Sequence, residues 1–189
     1  MMKNLFLLLT AMIIFGGCSY KNESLMLSQY DAQYTGELSK DKKSVFIESI
    51  EDMRVDKRSL GYVLEGDKKA HELYSTEDFT KKYKDAFEIA LRMAGFENSA
   101  QQSGAELVMN INIKKIEFIY NNKNLDKNLK GVIELEVTIK KGTSTITQDF
   151  KQAASKWIAP SYSSKDIEPF LNEIFSQSVN SVVTRLTKY

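Results

Sequence analysis

Few residues in this 189-residue chain combine a reactive side chain with a position that could use it. Cys18 is the single cysteine, a thiol at the end of the run Ile13-Ile14-Phe15-Gly16-Gly17-Cys18-Ser19. Lys3 and an uncharged stretch from Leu5 to Phe15 precede it. A charged start, an apolar core and a small-residue exit together make a secretory signal. His71, the single histidine, stands between Lys69-Ala70 and Glu72 in a predicted loop. It has no H-x-x-x-H partner and no nearby cysteine, which argues against a transition-metal site. Glu134 and Glu136 share one face of a predicted strand, as solvated alternation requires. Glu48, Glu51 and Asp52 stand close in sequence to Arg54 and Arg58, a pattern expected of surface ion pairs. No G-x-S-x-G, Walker loop or G-x-G-x-x-G occurs. The chain is therefore expected not to be an enzyme, with no catalytic residue, cofactor or metal.

Three readings of Cys18 compete with attachment chemistry. An uncleaved membrane helix needs roughly 20 apolar residues, and Leu5 to Gly17 supplies 13. An ordinary secreted protein would carry a lone thiol into an oxidising compartment, and no A-x-A-like triplet lies nearby. A buried core cysteine fits poorly beside a terminal signal. The run instead resembles the lipobox of bacterial lipoproteins, with Phe15 where Leu is usual. That resemblance implies a chain cut just before Cys18, a diacylglycerol on the sulfur and a fatty acyl group such as palmitate on the new amine. Each buried methylene contributes ~0.8 kcal/mol and one chain alone holds only marginally; several chains make attachment effectively permanent. Ser19 in place of Asp implies, by the rule for enteric bacteria, export to the outer membrane.

Removal of residues 1–17, the predicted lipoprotein signal peptide, leaves 172 residues, enough for one domain with a substantial core. It also leaves 25 basic and 25 acidic residues, a balance that gives no global field for nucleic acid or anionic lipid. Lysines are interleaved with acids, as in Lys81-Lys82-Tyr83-Lys84-Asp85, which describes a solvated face. With no second cysteine, stability must come from packing rather than a disulfide.

The elements that would position any functional residue follow from periodicity. Residues 18–43 read as a lipidated N-terminus and flexible tether, although the island Leu25-Met26-Leu27 could equally pack onto the domain as an edge segment. The periplasmic domain is expected at 44–189. Ser44–Ile50 is a β-branched run suited to a strand. The charge-dense stretch from Glu51 to Arg58 is expected to be exposed. Leu60–Leu64 makes a second strand, and Gly66-Asp67 turns the chain. A helix capped by Ser75, with Glu77 and Asp78 in its first turn, carries Phe79, Tyr83, Phe87, Ala90 and Leu91 on one stripe and stops at Gly95. Leu107 to Tyr120 alternates with a phase flip at Lys114-Lys115, which predicts a bulge. Val132 to Lys140 alternates strictly, so one face is buried and the other wet. Lys141-Gly142 turns into a strand from Thr143 to Phe150 that can run towards Trp157. A second helix begins near Asp166 with Pro169 in its first turn. The order predicts an α+β fold: a two-layer sandwich of a mostly antiparallel sheet with two helices packed on one face. Tyr120, Trp157 and Tyr162 fall near strand ends and form a candidate interaction surface, with core capping by Trp157 as the simpler reading.

The lipobox, the strand ending in Asp52-Met53-Arg54 and the following Leu60-Gly61-Tyr62 resemble the YajG-like family of bacterial lipoproteins. The element order is also similar to LptE-like lipoproteins of lipopolysaccharide assembly, to auxiliary lipoproteins of lipid-transport ABC systems and to haemagglutinin-like lipoproteins of Helicobacter. The resemblance implies an envelope location and a non-enzymatic role, with Cys18 as lipid attachment site and Asp52 and Arg54 as structural residues. The expected function is a lipid-anchored binding or assembly module of the cell envelope, on the outer membrane and facing the periplasm. Its expected partners are the membrane, through Cys18, and an envelope protein or lipid. An accessory role in lipid or lipopolysaccharide transport and a surface-displayed adhesin are the alternatives.

Overall fold

The computed structural model describes residues 21–30, 34–124, 126–160 and 162–189. Cys18 and the predicted signal sequence, residues 1–17, lie outside the described residues. The strands are β1 (Glu23–Ser24), β2 (Ser44–Asp52), β3 (Ser59–Glu65), β4 (Lys68–Tyr74), β5 (Glu97–Asn98), β6 (Leu107–Asn121), β7 (Leu129–Lys141) and β8 (Ser144–Lys156). The helices are α1 (Phe79–Met93) and α2 (Ser164–Leu186), with a short 3-10 turn at Gln102–Gly104. The expected α+β layering holds, with the helices on one face of a single sheet.

The sheet is organised around β6. One side of this strand pairs antiparallel with β7 along nearly its whole length, and β7 continues into β8. Its other side is shared in parallel by two strands end to end: β2 lies against Leu107–Ile113 and β3 against Phe118–Asn121. The flip at Lys114-Lys115 is the predicted bulge, where the β6–β7 register shifts between Ile113 and Lys115. The bulge falls where β2 ends and β3 has not begun, so the chain between them must leave the sheet. Gly61 makes the re-entry possible. Its φ is +133°, and a Cβ there would stand 1.8 Å from the Phe118 carbonyl oxygen.

Strand β7 alternates as its sequence predicts, with Ile133, Leu135, Val137 and Ile139 buried. They meet Phe170, Leu171, Ile174, Phe175 and Val179 of α2 in the core cluster. Tyr83 of α1 packs against Phe175 with ring centroids 4.6 Å apart. Gly95 ends α1 at φ +89°, and Phe96 folds back to donate to the Leu91 carbonyl at 2.9 Å.

Several expectations are corrected. The cap of α1 is Asp78, whose carboxylate accepts from the N–H groups of Thr80 (2.9 Å) and Lys81 (3.2 Å). Ser75 is instead buried before the helix, and Glu77 precedes the first turn. Helix α2 begins two residues earlier than expected because Asp166 closes a capping box, accepting from the N–H of Ser163 at 2.7 Å. Pro169 therefore sits inside the helix rather than in its first turn. His71 is on strand β4, not in a loop.

Of the two readings of the Leu25 island, the edge segment is the one observed. Glu23 and Ser24 pair in parallel with Leu73 and Tyr74. Leu25, Leu27, Tyr30 and Tyr34 are buried, while Met26 faces out. Main-chain N–H groups of Met26 and Ser28 donate to Glu168 (2.9 Å) and Asn172 (2.8 Å), so the segment is tied across α2. Asn22 is tied to the sheet as well, its side chain accepting from the Glu72 N–H at 2.9 Å.

Candidate functional site

The excursion between β2 and β3, residues 53–58, is where local chemistry is concentrated. Asp52 closes β2, and two residues later Arg54 turns back beneath the loop. Its Nε donates to Asp52 Oδ1 at 2.9 Å and its Nη2 to Asp52 Oδ2 at 2.7 Å. Nη1 also donates to the carbonyl of Ser59 (3.0 Å), and Nη2 to that of Lys57 (2.7 Å). The guanidinium also lies 5.0 Å from the centre of the Phe79 ring. Both side chains are almost completely buried, at 5% and 6% exposure. The stretch expected to be exposed therefore hides its central ion pair. Asp56 completes the loop by accepting from the N–H groups of Arg58 (2.9 Å) and Ser59 (3.2 Å).

A bidentate pair of this kind, with two further bonds to main-chain carbonyls, fixes geometry as well as charge. What it holds outward is apolar: Met53 and Val55 are both exposed. Beside them runs a groove of about 390 Å³ lined by Val55, Tyr62, Lys69, Lys114, Lys115 and Glu117. Lys69 Nζ stands 4.0 Å over the Tyr62 ring. Lys115 pairs with Glu117 at 2.9 Å, and that hydrogen bond raises the lysine pKa. An apolar tip on a rigid base with a charged flank is suited to contact with another surface.

Of the other charged residues of the predicted cluster, Arg58 belongs to the loop and Glu48 lies apart from it. Glu48 accepts from Asn110 (2.6 Å) and Lys140 (2.9 Å) on the open face of the sheet, and these bonds, Asn110 first, lower its pKa. Glu136 is lowered in the same way by Asn112 and Lys114. Arg58 lies 5.9 Å from the Tyr74 ring. His71 Nε2 stands 3.4 Å from Glu65 across the β3–β4 hairpin. Among the described residues, no group of three or more His, Cys, Asp or Glu side chains is placed to hold a metal.

The predicted aromatic surface is also corrected. Tyr120 is fully buried and Tyr162 nearly so, packed on one another with centroids 4.3 Å apart. They close the end of the core beneath the loop that follows β8. Trp157 alone is exposed, so it does not cap the core. The loop is fastened by Asn128, a residue with no distinguishing sequence signal. Its buried amide donates to the Ile158 carbonyl at 2.7 Å and accepts from the Ile158 N–H at 2.8 Å.

The chain matches, over residues 33–184, the Lipoprotein_16 family, described as uncharacterized lipoprotein, and it belongs to that family. Membership implies anchoring by lipid, and no helix among the described residues is long and apolar enough to cross a membrane. No curated protein sequence matches the chain. Among solved structures, an uncharacterized protein aligns with TM-score 0.56 and 10% identity, over 87% of this chain and 99% of its own. Protein CT253 from Chlamydia trachomatis aligns with TM-score 0.53 and 10% identity, over 79% of this chain and 98% of its own. Protein XCC0632 from Xanthomonas campestris aligns with TM-score 0.50 and 13% identity, over 89% and 93%. At these identities the likeness is one of fold.

Proposed function

We propose that this lipoprotein works by binding, not by catalysis, as a module of the cell envelope held at the outer membrane through acylated Cys18 and facing the periplasm. The observation that carries the reading is the use made of Asp52 and Arg54. They are the most completely paired charges at the site, and both are committed to each other and to main-chain carbonyls. A general acid or base must be reachable by the proton it moves; this pair is spent on holding Met53 and Val55 outward. The loop is the face offered to an envelope protein partner. The YajG-like resemblance of the Asp52-Met53-Arg54 segment supports the same non-enzymatic reading.

In-cell crosslinking with mass spectrometry, comparing wild type with Cys18→Ser, tests the anchored part of this reading. The partner set is expected to be lost or redistributed in the unanchored variant. An unchanged set would remove membrane attachment from the mechanism.

A further inference from the structure

Among the described residues, strand β8 lies at the edge of the sheet and pairs only with β7. The register runs without a shift from Leu129↔Lys156 to Lys141↔Ser144, across the two-residue turn Gly142-Thr143. Such a hairpin closes on a hydrogen-bonded pair, so even-numbered residues of β8 turn their main-chain groups towards β7. Thr145, Thr147, Asp149, Lys151, Ala153 and Ser155 turn theirs outward. Among the described residues, those outward groups have no main-chain partner. An open edge of 13 residues, with no proline and no bulge, is a template for another strand.

We propose that this edge pairs with β8 of a second copy of the chain, antiparallel, about a twofold axis through Phe150. The side chains select both the occupant and the register. In this alignment Asp149 faces the partner's Lys151, and symmetry makes the pair twice. Thr147 faces the partner's Ala153, and Thr145 faces the partner's Ser155, which are small pairs without conflict. On the helix-covered face Phe150 meets the partner's Phe150. Ile146, 41% exposed in the single chain, lies opposite the partner's Ala154. Exposed Trp157 falls opposite the partner's Thr143 at the hairpin turn. A slip to the neighbouring allowed register sets Asp149 against the partner's Asp149, or Lys151 against the partner's Lys151, and like charges directly opposite are destabilising. Lys151 is available for the exchange because its side chain is exposed and its present bond, 2.8 Å long, is to a Glu134 still partly open to solvent, which contributes little.

This interface is independent of the 53–58 loop, which lies on the other side of β6. Sedimentation equilibrium of the full chain in density-matched detergent tests it. Wild type is expected to dimerise. Asp149→Lys alone and Lys151→Asp alone are each expected to weaken the dimer about tenfold, since two facing pairs change sign together. The double variant Asp149→Lys/Lys151→Asp, which restores opposite charges, is expected to recover wild-type affinity. A second readout uses Phe150→Cys and Gln148→Cys under mild oxidation. A symmetric disulfide is expected at position 150 and not at 148, because only residue 150 faces itself. A monomeric wild type, single reversals without effect, or a double variant no tighter than the singles would each overturn the proposal.

Discussion

Arg54 and Asp52, separated by one residue in sequence, form a two-pronged ion pair at 2.9 Å and 2.7 Å inside the protein. The pair joins the end of β2, where Asp52 still pairs with Ile113 of β6, to the loop that leads to β3. Breaking one partner leaves a buried charge uncompensated, which costs about 3–5 kcal/mol. Arg54→Ala is expected to lose stability on that scale. Asp52→Leu/Arg54→Met, which removes both charges together, is expected to lose less. Urea unfolding midpoints of the three proteins check the order.

Gly61 is the second fixed point of the same loop. Any side chain there meets the Phe118 carbonyl and a backbone conformation that L-residues avoid. Gly61→Ala is expected to destabilise by about 1–3 kcal/mol from the backbone conformation alone, and further from the clash. Hydrogen exchange should locate the loosening at the β3–β6 pairing.

Helix α1 begins on the Asp78 carboxylate. Its pKa is lowered by the Thr80 hydroxyl first and then by the Lys81 N–H. A lowered folded-state value means that this contribution is complete above the unfolded carboxylate pKa and fades as pH falls through the folded one. Asp78→Ala is expected to cost about 1 kcal/mol at neutral pH. The same substitution should matter less in acid, which thermal melts at both pH values can measure.

The N-terminal segment carries an alkaline counterpart. Tyr30 bonds Asn180 of α2, and burial, with Tyr34 nearby, pushes its pKa up from 10.0 to about 12. A raised folded value gives stability that is complete below pH 10.0 and is lost as pH climbs towards about 12. Tyr83, raised chiefly by burial, adds in the same sense. Tyr30→Phe is expected to flatten part of the fall in urea midpoint across that window.

The parts of this fold legible in sequence are those governed by short-range periodicity. The strict alternation of Val132–Lys140, the stripe of α1 and the phase flip at Lys114-Lys115 all appear where pattern places them. The cap is less legible because Ser75 and Asp78 are both good acceptors, and the choice between them depends on Ser75 being drawn into the core. Tyr120 and Tyr162 look like surface aromatics until the loop after β8 folds one onto the other. The burial of Arg54 was hidden for a similar reason. Charge density predicts exposure, and only the parallel lanes of β2 and β3 along β6 create the enclosed space that the guanidinium fills. The Leu25 island is ambiguous in sequence because three residues beside a two-residue strand carry too little periodicity to read.

A photoreactive side chain placed at Val55 in living cells, compared with one at Ser103 on the exposed 3-10 turn, tests the binding role most directly. The account predicts discrete protein adducts from position 55 that are absent from position 103 and lost when Asp52→Leu/Arg54→Met releases the loop. Indistinguishable adducts from the two positions, or adducts at 55 that survive release of the loop, would contradict it.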